Sequence, residues 1–167
     1  MMRTLFFLLL IVVCLCGAPG TGKAAADQDF APFGLEELMK TLEHAKGKVV
    51  LINFFATWCP PCKEEIPHLM GIRKGIPEDK LVLIGVSVDE DIQELRKFAM
   101  KTRFNYPVYT GQGDLLAALE LSAIPHMIIV DREGALCYSQ PGLLPEALLR
   151  HNLNQLVEGQ KAAICAE

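Results

Sequence analysis

Two long apolar runs in the middle of the chain predict strands that are buried on both faces. Val49–Phe55 is interrupted only by Asn53, and Leu81–Val88 reads Leu-Val-Leu-Ile-Gly-Val-Ser-Val. Strands inside a sheet that is covered by helices have runs of this kind, whereas strands with one face in water alternate apolar and polar residues. We therefore expect both segments at the centre of a covered sheet.

Apolar residues at helical spacing separate these runs and follow them. The predicted helices are Phe33–Ala45, Pro60 to about Lys74, Asp91–Lys101, Asp114–Leu121 and Pro145–Val157. The other predicted strands are Tyr106–Tyr109, Met127–Val130 and Ala135–Tyr138, with a turn at Asp131–Gly134 and a short lead-in at Asp27–Pro32. Strands that alternate with helices and end in a hairpin and a helix predict an α/β domain, here a central mixed sheet flanked by helices.

The N-terminus has the composition of a secretory signal peptide. Arg3 precedes the apolar run Leu5–Cys16, and three alanines end the segment at Ala26. The run is shorter than the roughly 20 residues that a membrane-spanning helix needs. We expect residues 1–26 to be a signal peptide and residues 27–167 to be the mature domain, with an uncleaved N-terminal anchor as the alternative.

The charge balance argues against a nucleic-acid binding protein. The chain has 167 residues, with 16 Lys and Arg against 20 Asp and Glu, a net charge of −4. Residues 1–26 contain Arg3, Lys23 and no acidic residue, so the mature charge is −6. A protein that binds nucleic acid is expected to have a basic face, and the sequence has no run rich in Lys and Arg.

Four cysteines remain once residues 1–26 are removed: Cys59, Cys62, Cys137 and Cys165. In an exported protein, cysteines usually form structural disulfides or are redox-active. Cys59 and Cys62 are three residues apart, and a disulfide that closes so short a loop stabilises little through chain entropy. The spacing therefore favours a chemical role for this pair.

The motif Cys59-Pro60-Pro61-Cys62 stands where a predicted strand ends and a predicted helix begins. The partial positive charge and free N–H groups of a helix N-terminus stabilise a thiolate. We expect Cys59, at the exposed end, to be the attacking nucleophile and Cys62, inside the helix, to be the resolving thiol of a disulfide exchange. Pro60 and Pro61 lack N–H groups, which leaves fewer donors for the Cys59 sulfur and favours a more reducing pair.

Other uses of a Cys-x-x-Cys motif fit this sequence less well. Haem attachment needs a His after the second Cys, where Lys63 stands. A structural zinc site needs a second Cys or His pair at suitable spacing, which the sequence lacks. We expect no metal and no bound cofactor, because the dithiol is itself the redox group. Two alternatives stay open: a copper-binding module that uses Cys59, Cys62 and His126, and a thiol peroxidase, which needs only one attacking cysteine.

The motif Trp-Cys-Pro-Pro-Cys-Lys, followed by Ile66-Pro67 and, far downstream, by Ala123-Ile124-Pro125, resembles the thioredoxin superfamily. Over about residues 33–158 the chain is similar to the exported TlpA/ResA-type branch of thiol–disulfide oxidoreductases. Residues 89–122 resemble the helix-and-strand insertion between the two halves of that fold. The resemblance implies a thioredoxin-like fold and a disulfide reductase in the periplasm or at the extracytoplasmic face of a membrane.

The resemblance also implies roles for individual residues. Pro125 matches the cis-proline beside the cysteine pair and would present the Ile124 backbone to a substrate strand. Glu65 matches an acid that moves protons to or from Cys62 or tunes the thiol pKa values, and Asn53 stands where thioredoxin has a buried acid. The implied substrate groove consists of Trp58, Pro60, Pro61, Ile124, Pro125 and His126.

The implied substrate is a disulfide of another protein, such as apocytochrome c, and the implied electron donor is a membrane thiol reductant. We expect the protein to act as a monomer. His126 is expected either near Cys59, with a pKa close to neutral, or facing solvent at a strand end. Cys137 is expected to be either a buried, inert thiol or the disulfide partner of Cys165.

Overall fold

A computed structural model describes residues 30–165, which form one mixed sheet with helices on both faces. The strands in this part of the chain are β1 (Pro32–Phe33), β2 (Val49–Phe55), β3 (Leu81–Ser87), β4 (Val108–Gly111), β5 (His126–Val130) and β6 (Leu136–Pro141). The helices are α1 (Leu35–His44), α2 (Pro60–Gly75), α3 (Ile92–Thr102), α4 (Gly113–Ala118) and α5 (Glu146–Val157), followed by a 3₁₀ turn at Ala163–Cys165. The predicted α/β class and central mixed sheet are confirmed.

Strand β2 lies at the centre of the sheet, as the apolar run predicts. The strand order is β1-β4-β3-β2-β5-β6. β2 pairs in parallel with β3, from Val49 opposite Leu81 to Phe55 opposite Ser87, and antiparallel with β5. Every residue of β2 is buried. Because α2 connects the two parallel strands, the N-terminus of α2 is at the carboxyl end of β2.

Alternate residues of β2 belong to two different cores, as the pleat of a strand requires. Val49 and Leu51 pack with side chains of α2 and α5, whereas Ile52 and Phe54 pack with side chains of α1 and α4. Complete burial of an aliphatic or aromatic side chain contributes about 1.5–3 kcal/mol, so both faces hold the helices in place. Phe55, at the end of β2, belongs to a third cluster with α3.

Strand β1 joins Pro32, the last residue of the predicted lead-in, to Phe33, which the sequence predicts to be the first residue of a helix. The amide of Thr110 donates to the carbonyl of Ala31 at 3.0 Å, and that of Gln112 donates to Phe33 at 3.1 Å. A strand of two residues is too short to show an apolar–polar alternation in the sequence. These residues form a strand only because they pair with the edge of β4. Helix α1 consequently begins at Leu35, two residues later than predicted, after Gly34.

The elements between β3 and β5 confirm the expected helix-and-strand insertion, since α3, β4 and α4 all lie within residues 89–122. Residues 1–26, predicted to be a signal peptide or an anchor, lie outside the described residues. Within residues 30–165, no helix is long and apolar enough to cross a membrane. Strand β6 runs to Pro141, beyond its predicted end, because it pairs with β5 as far as His126.

A disulfide joins Cys137 on β6 to Cys165 at the end of the described residues. Of the two interpretations of Cys137, the structure therefore excludes the inert thiol. The amide of Ile164 donates to Oδ1 of the fully buried Asn152 at 2.9 Å. Ala162 is buried in the same core as α5. These contacts bring the C-terminal segment alongside β6, which sequence spacing does not reveal.

Candidate active site

Cys59 caps the N-terminus of α2, as predicted. β2 ends at Phe55, and the amide of Cys59 donates to the carbonyl of Ala56 at 3.2 Å, which closes a tight turn between strand and helix. The Cys59 Sγ accepts a hydrogen bond from the amide of Cys62 at 3.2 Å. The sulfur is thus placed at the positive end of the helix, where a thiolate is stabilised.

Cys59 and Cys62 form a disulfide, with Cα atoms 5.3 Å apart. Both are buried: the exposed fraction is 2% for Cys59 and 0% for Cys62. The expectation of an exposed Cys59 is therefore wrong for this oxidised pair, because the sulfurs pack in a cluster with apolar side chains that include Phe30, Ile66 and Leu95. Exposed residues surround them instead.

The exposed rim consists of Trp58, Pro60 and Pro61. Trp58 is 66% exposed, the largest exposure among the described large apolar side chains. Pro60 and Pro61 occupy the first two positions of α2, where a missing N–H breaks no hydrogen bond of the helix. A capping side chain accepts from the second or third helical amide. Pro61 stands at the second helical position and has no amide N–H. The Cys59 sulfur therefore depends on the amide of the third position, Cys62.

The peptide bond between Ile124 and Pro125 is cis, as expected from the resemblance. It immediately precedes β5, whose first residue, His126, lies opposite Phe54 on β2. The amide of Gly142 donates to the carbonyl of Pro125 at 2.7 Å. Trp58 and Ile124 line the same open cavity of about 410 Å³, so the proline turn and the redox loop border one surface.

Glu65 and Asn53 form a buried pair, and Glu65 lies three residues after Cys62 on α2. Their exposed fractions are 1% and 0%, and the side-chain amide of Asn53 donates to Oε2 of Glu65. Burial raises the pKa of Glu65 to about 7, although the hydrogen bond from Asn53 acts in the opposite direction. A carboxyl with this pKa can gain or lose a proton near neutral pH.

The sequence does not reveal the partnership of Asn53 with Glu65; the resemblance shows only that an amide stands where thioredoxin has an acid. Asn53 belongs to the set of β2 residues that face α2, and it lies opposite Met127 on β5. Glu65 lies one helical turn after Cys62 on α2. The sequence signal for this pair is Asn53 itself, the single polar residue in an otherwise apolar strand. A buried amide requires a hydrogen-bond partner, so such a residue indicates a polar group facing it.

His126 matches neither of its two expected environments. It is 6% exposed, and its ring lies edge-on to Phe54 with centroids 6.3 Å apart. Nε2 is 3.1 Å from Oγ of Ser139. Burial lowers the pKa of His126, which favours the neutral imidazole. Because it shares the face of Phe54, its side chain points away from the α2 side of the sheet, and the expected contribution to the groove is wrong for this side chain.

Within residues 30–165, no three His, Cys, Asp or Glu side chains come together in a group that could hold a metal ion.

Comparison with known proteins agrees with this geometry. The AhpC/TSA family matches residues 22–139. The thiol-disulfide oxidoreductase ResA of Bacillus subtilis (strain 168) is 27% identical over 164 residues, which cover 92% of each chain.

Two solved structures have the same fold. A thiol:disulfide interchange protein of the thioredoxin family from Chlorobium tepidum TLS has a TM-score of 0.64 at 26% identity, and the match covers 69% of this chain and 83% of that one. The exposed lipoprotein thioredoxin of Streptococcus pneumoniae strain TIGR4 has a TM-score of 0.60 at 25% identity, with coverage of 69% and 90%. The chain therefore belongs to the AhpC/TSA family, as a thiol–disulfide oxidoreductase with a thioredoxin-like fold.

Proposed function

We propose that this oxidoreductase is an exported, monomeric reductant of disulfides in other proteins. The observation that carries the proposal is the Cys59–Cys62 disulfide at the N-terminus of α2, bordered by the cis-Pro125 turn and backed by the buried Glu65. A dithiol at this position holds two electrons and needs no other redox group.

The reaction begins with the reduced pair. The Cys59 thiolate attacks one sulfur of the client disulfide, which breaks the client S–S bond and forms a mixed disulfide between Cys59 and the client. The other client sulfur leaves as a thiolate and takes up a proton. Cys62 then attacks the Cys59 sulfur, restores the Cys59–Cys62 disulfide and releases the client as a dithiol. The client gains the two electrons that the pair loses.

Glu65 supplies the proton acceptor for the second step. Cys62 must lose its proton before it attacks, and it lies in the water-excluded interior one turn from Glu65 on α2. A carboxyl with a pKa of about 7 accepts that proton at neutral pH and returns it when the pair is reduced again. The amide of Asn53 holds one carboxyl oxygen in place during this exchange.

The client binds along the rim formed by Trp58, Pro60, Pro61, Ile124 and Pro125. Trp58 offers a large apolar surface next to the attacking sulfur. The backbone of Ile124 precedes β5 and lies at the border of the cavity that contains Trp58, where an extended client segment can pair with it. His126 contributes its backbone position rather than its buried ring.

An extracytoplasmic location is supported by two features. Disulfides such as the one between Cys137 and Cys165 form and persist mainly in oxidising compartments, and one structural relative is called an exposed lipoprotein. There, a membrane thiol reductant would return the Cys59–Cys62 pair to the dithiol form. The proposed client class is apocytochrome c, whose cysteines must be reduced before haem attachment.

A trapping experiment tests the proposal. Cys62→Ser should leave the mixed disulfide on Cys59 unresolved, and mass spectrometry of the captured protein would identify the client. Cys59→Ser is the matched control and should capture nothing. Failure of the unchanged protein to reduce insulin disulfides would contradict the proposed activity.

Two further measurements separate the alternatives of a thiol peroxidase and a copper-binding module. Peroxide consumption that survives in Cys62→Ser but not in Cys59→Ser would instead indicate a thiol peroxidase. Tight, stoichiometric copper binding by the reduced protein, without disulfide reduction, would indicate a copper-binding module.

A further inference from the structure

Asp89, just beyond the end of β3, binds the loop that leads to Cys59. The amide of Thr57 donates to both carboxylate oxygens of Asp89, at 2.9 and 3.0 Å, and the Thr57 hydroxyl donates to Oδ1 at 2.7 Å. The hydroxyl of the buried Ser87 donates to Oδ2 at 2.7 Å, while its oxygen accepts from the amide of Asp89 at 3.0 Å. Hydrogen bonds to a charged acceptor are stronger than those between neutral groups.

These bonds act on the segment that positions the redox rim. The loop between β2 and α2 consists of residues 56–59, and Thr57 is its second residue. Within residues 30–165 the side chain of Trp58 makes no hydrogen bond, and two thirds of its surface is exposed. The neighbouring Thr57 is therefore a point at which the rest of the fold holds the loop next to Trp58, in addition to the burial of Ala56 and Cys59.

We propose that Asp89 is a positioning residue of the oxidoreductase: by holding Thr57, it fixes Trp58 beside Cys59 so that a client disulfide approaches the sulfur in the geometry of attack. The role rests on the proposed assignment of Cys59 as the attacking sulfur. Asp89 itself touches neither the client nor the reacting atoms.

The structure separates this role from an effect on thiol reactivity. The donor to the Cys59 sulfur is the amide of Cys62, which belongs to α2 and not to the loop. Loss of Asp89 should therefore leave the intrinsic reactivity of the reduced Cys59 unchanged while the loop loses its fixed geometry. Exchange with a large client needs alignment of three sulfur atoms, and small displacements in such geometries are costly.

Asp91 provides a matched control. It lies two residues further along, caps α3 by accepting from the amide of Gln93 at 2.8 Å, and is exposed. Asp89→Ala should lower kcat/KM for insulin reduction about tenfold, and Asp91→Ala should leave it unchanged. Iodoacetamide labelling of reduced Cys59 should proceed at the same rate in both variants.

Trp58 is the single tryptophan of the chain, so its fluorescence anisotropy reports directly on this loop. The anisotropy should be lower in Asp89→Ala than in the wild-type protein and unchanged in Asp91→Ala. Thr57→Val, which removes only the hydroxyl donor, should show a smaller loss of kcat/KM, and Thr57→Ser should restore it. If Asp89→Ala folds poorly, the comparison of Thr57→Val with Thr57→Ser still tests the role of the bond between Thr57 and Asp89.

Unchanged turnover and unchanged anisotropy in Asp89→Ala would overturn the positioning role. An equal fall in iodoacetamide labelling and in turnover would also overturn it, because Asp89 would then act on the thiol itself. If Cys59 is not the attacking sulfur, insulin reduction should persist in Cys59→Ser. That result is distinct from a failure of the positioning role of Asp89.

Discussion

The side-chain amide of Asn53 donates a hydrogen bond to Oε2 of Glu65 in the buried layer between the central strand and the redox helix. The two residues are twelve apart in sequence, and Glu65 lies one helical turn after Cys62. A buried carboxyl with only neutral hydrogen-bond support resists ionisation. Both the stability and the chemistry of the protein should therefore depend on the proton of Glu65.

Glu65→Gln should change how stability depends on pH. The pKa of Glu65 is 4.5 in an unfolded chain and about 7 in the folded protein. Between these values the folded protein keeps a proton that the unfolded chain has lost, so the free energy of unfolding falls by about 3 kcal/mol as pH rises through this window. Glutamine cannot ionise, and the variant should not show this fall.

Denaturant titrations at about pH 4.5 and about pH 8 measure the effect. The free energy of unfolding of Glu65→Gln, relative to that of the wild-type protein, should increase by about 3 kcal/mol from the lower to the higher pH. Glu64→Gln, at the exposed neighbouring position, is the control and should show no such growth. A parallel pH dependence of Glu65→Gln and the unchanged protein would contradict the raised pKa.

Asn53→Asp should destabilise the protein mainly at neutral and alkaline pH. The substitution places a second carboxyl beside Glu65, which has no cationic partner among residues 30–165, and an unpaired buried charge costs about 3–5 kcal/mol. At about pH 4.5 both groups can remain protonated, and the loss should be smaller. Thermal unfolding at the two pH values measures this difference, with the exposed Asn154→Asp as the control. A loss independent of pH would show that packing, not charge, is responsible.

Pro61→Ala should make the Cys59–Cys62 pair more oxidising. The new amide at the second helical position can donate to the Cys59 thiolate beside the existing donor, Cys62. A hydrogen bond worth about 1.4 kcal/mol to the reduced form raises the reduction potential by about 30 mV. Equilibration with glutathione buffers measures the potential.

Pro60→Ala is the matched control for this effect, because the first helical amide does not reach the capping side chain. Equal potentials in Pro61→Ala and the unchanged protein, or an equal rise in Pro60→Ala, would contradict the capping explanation. The unchanged protein should have a potential below about −200 mV, outside the oxidising range of such proteins.

Replacement of Cys137 and Cys165 together by alanine should lower the free energy of unfolding by about 3–4 kcal/mol. Their disulfide spans 28 residues, so it restricts the unfolded chain far more than the Cys59–Cys62 pair does. Urea unfolding of the oxidised proteins measures the loss, and insulin reduction should be unaffected because the redox site is intact. Unchanged stability, or a loss no larger than that of the Cys59→Ser, Cys62→Ser double variant, would contradict the expected restraint.

The elements that hold the redox motif were predictable because their signals are local. The apolar runs of β2 and β3 were identified to within one residue of their ends, since strands covered on both faces need apolar residues throughout. The position of Cys59 at the helix cap is predictable because Pro60 is tolerated at the first helical position.

Other features were not predictable because they depend on partners elsewhere in the chain. β1 has two residues and exists only through its pairing with β4. The burial of His126 follows from its position opposite Phe54, which decides the face of the sheet to which the ring points. Cys59 is buried by residues of α2 and α3 and by Phe30, none of which the motif itself specifies.

The sequence by itself determined the redox motif and its place in the fold, since a Cys-x-x-Cys motif at a strand-to-helix junction brings together two sulfurs and the positive end of a helix within a few residues. Only the tertiary structure decided what surrounds them: Glu65 with Asn53, Thr57 with Asp89 at a separation of 32 residues, and Cys137 with Cys165 at a separation of 28. Local backbone geometry follows from neighbouring residues, whereas the pKa of a buried acid, the anchoring of a loop and the pairing of distant cysteines depend on how strands and helices pack.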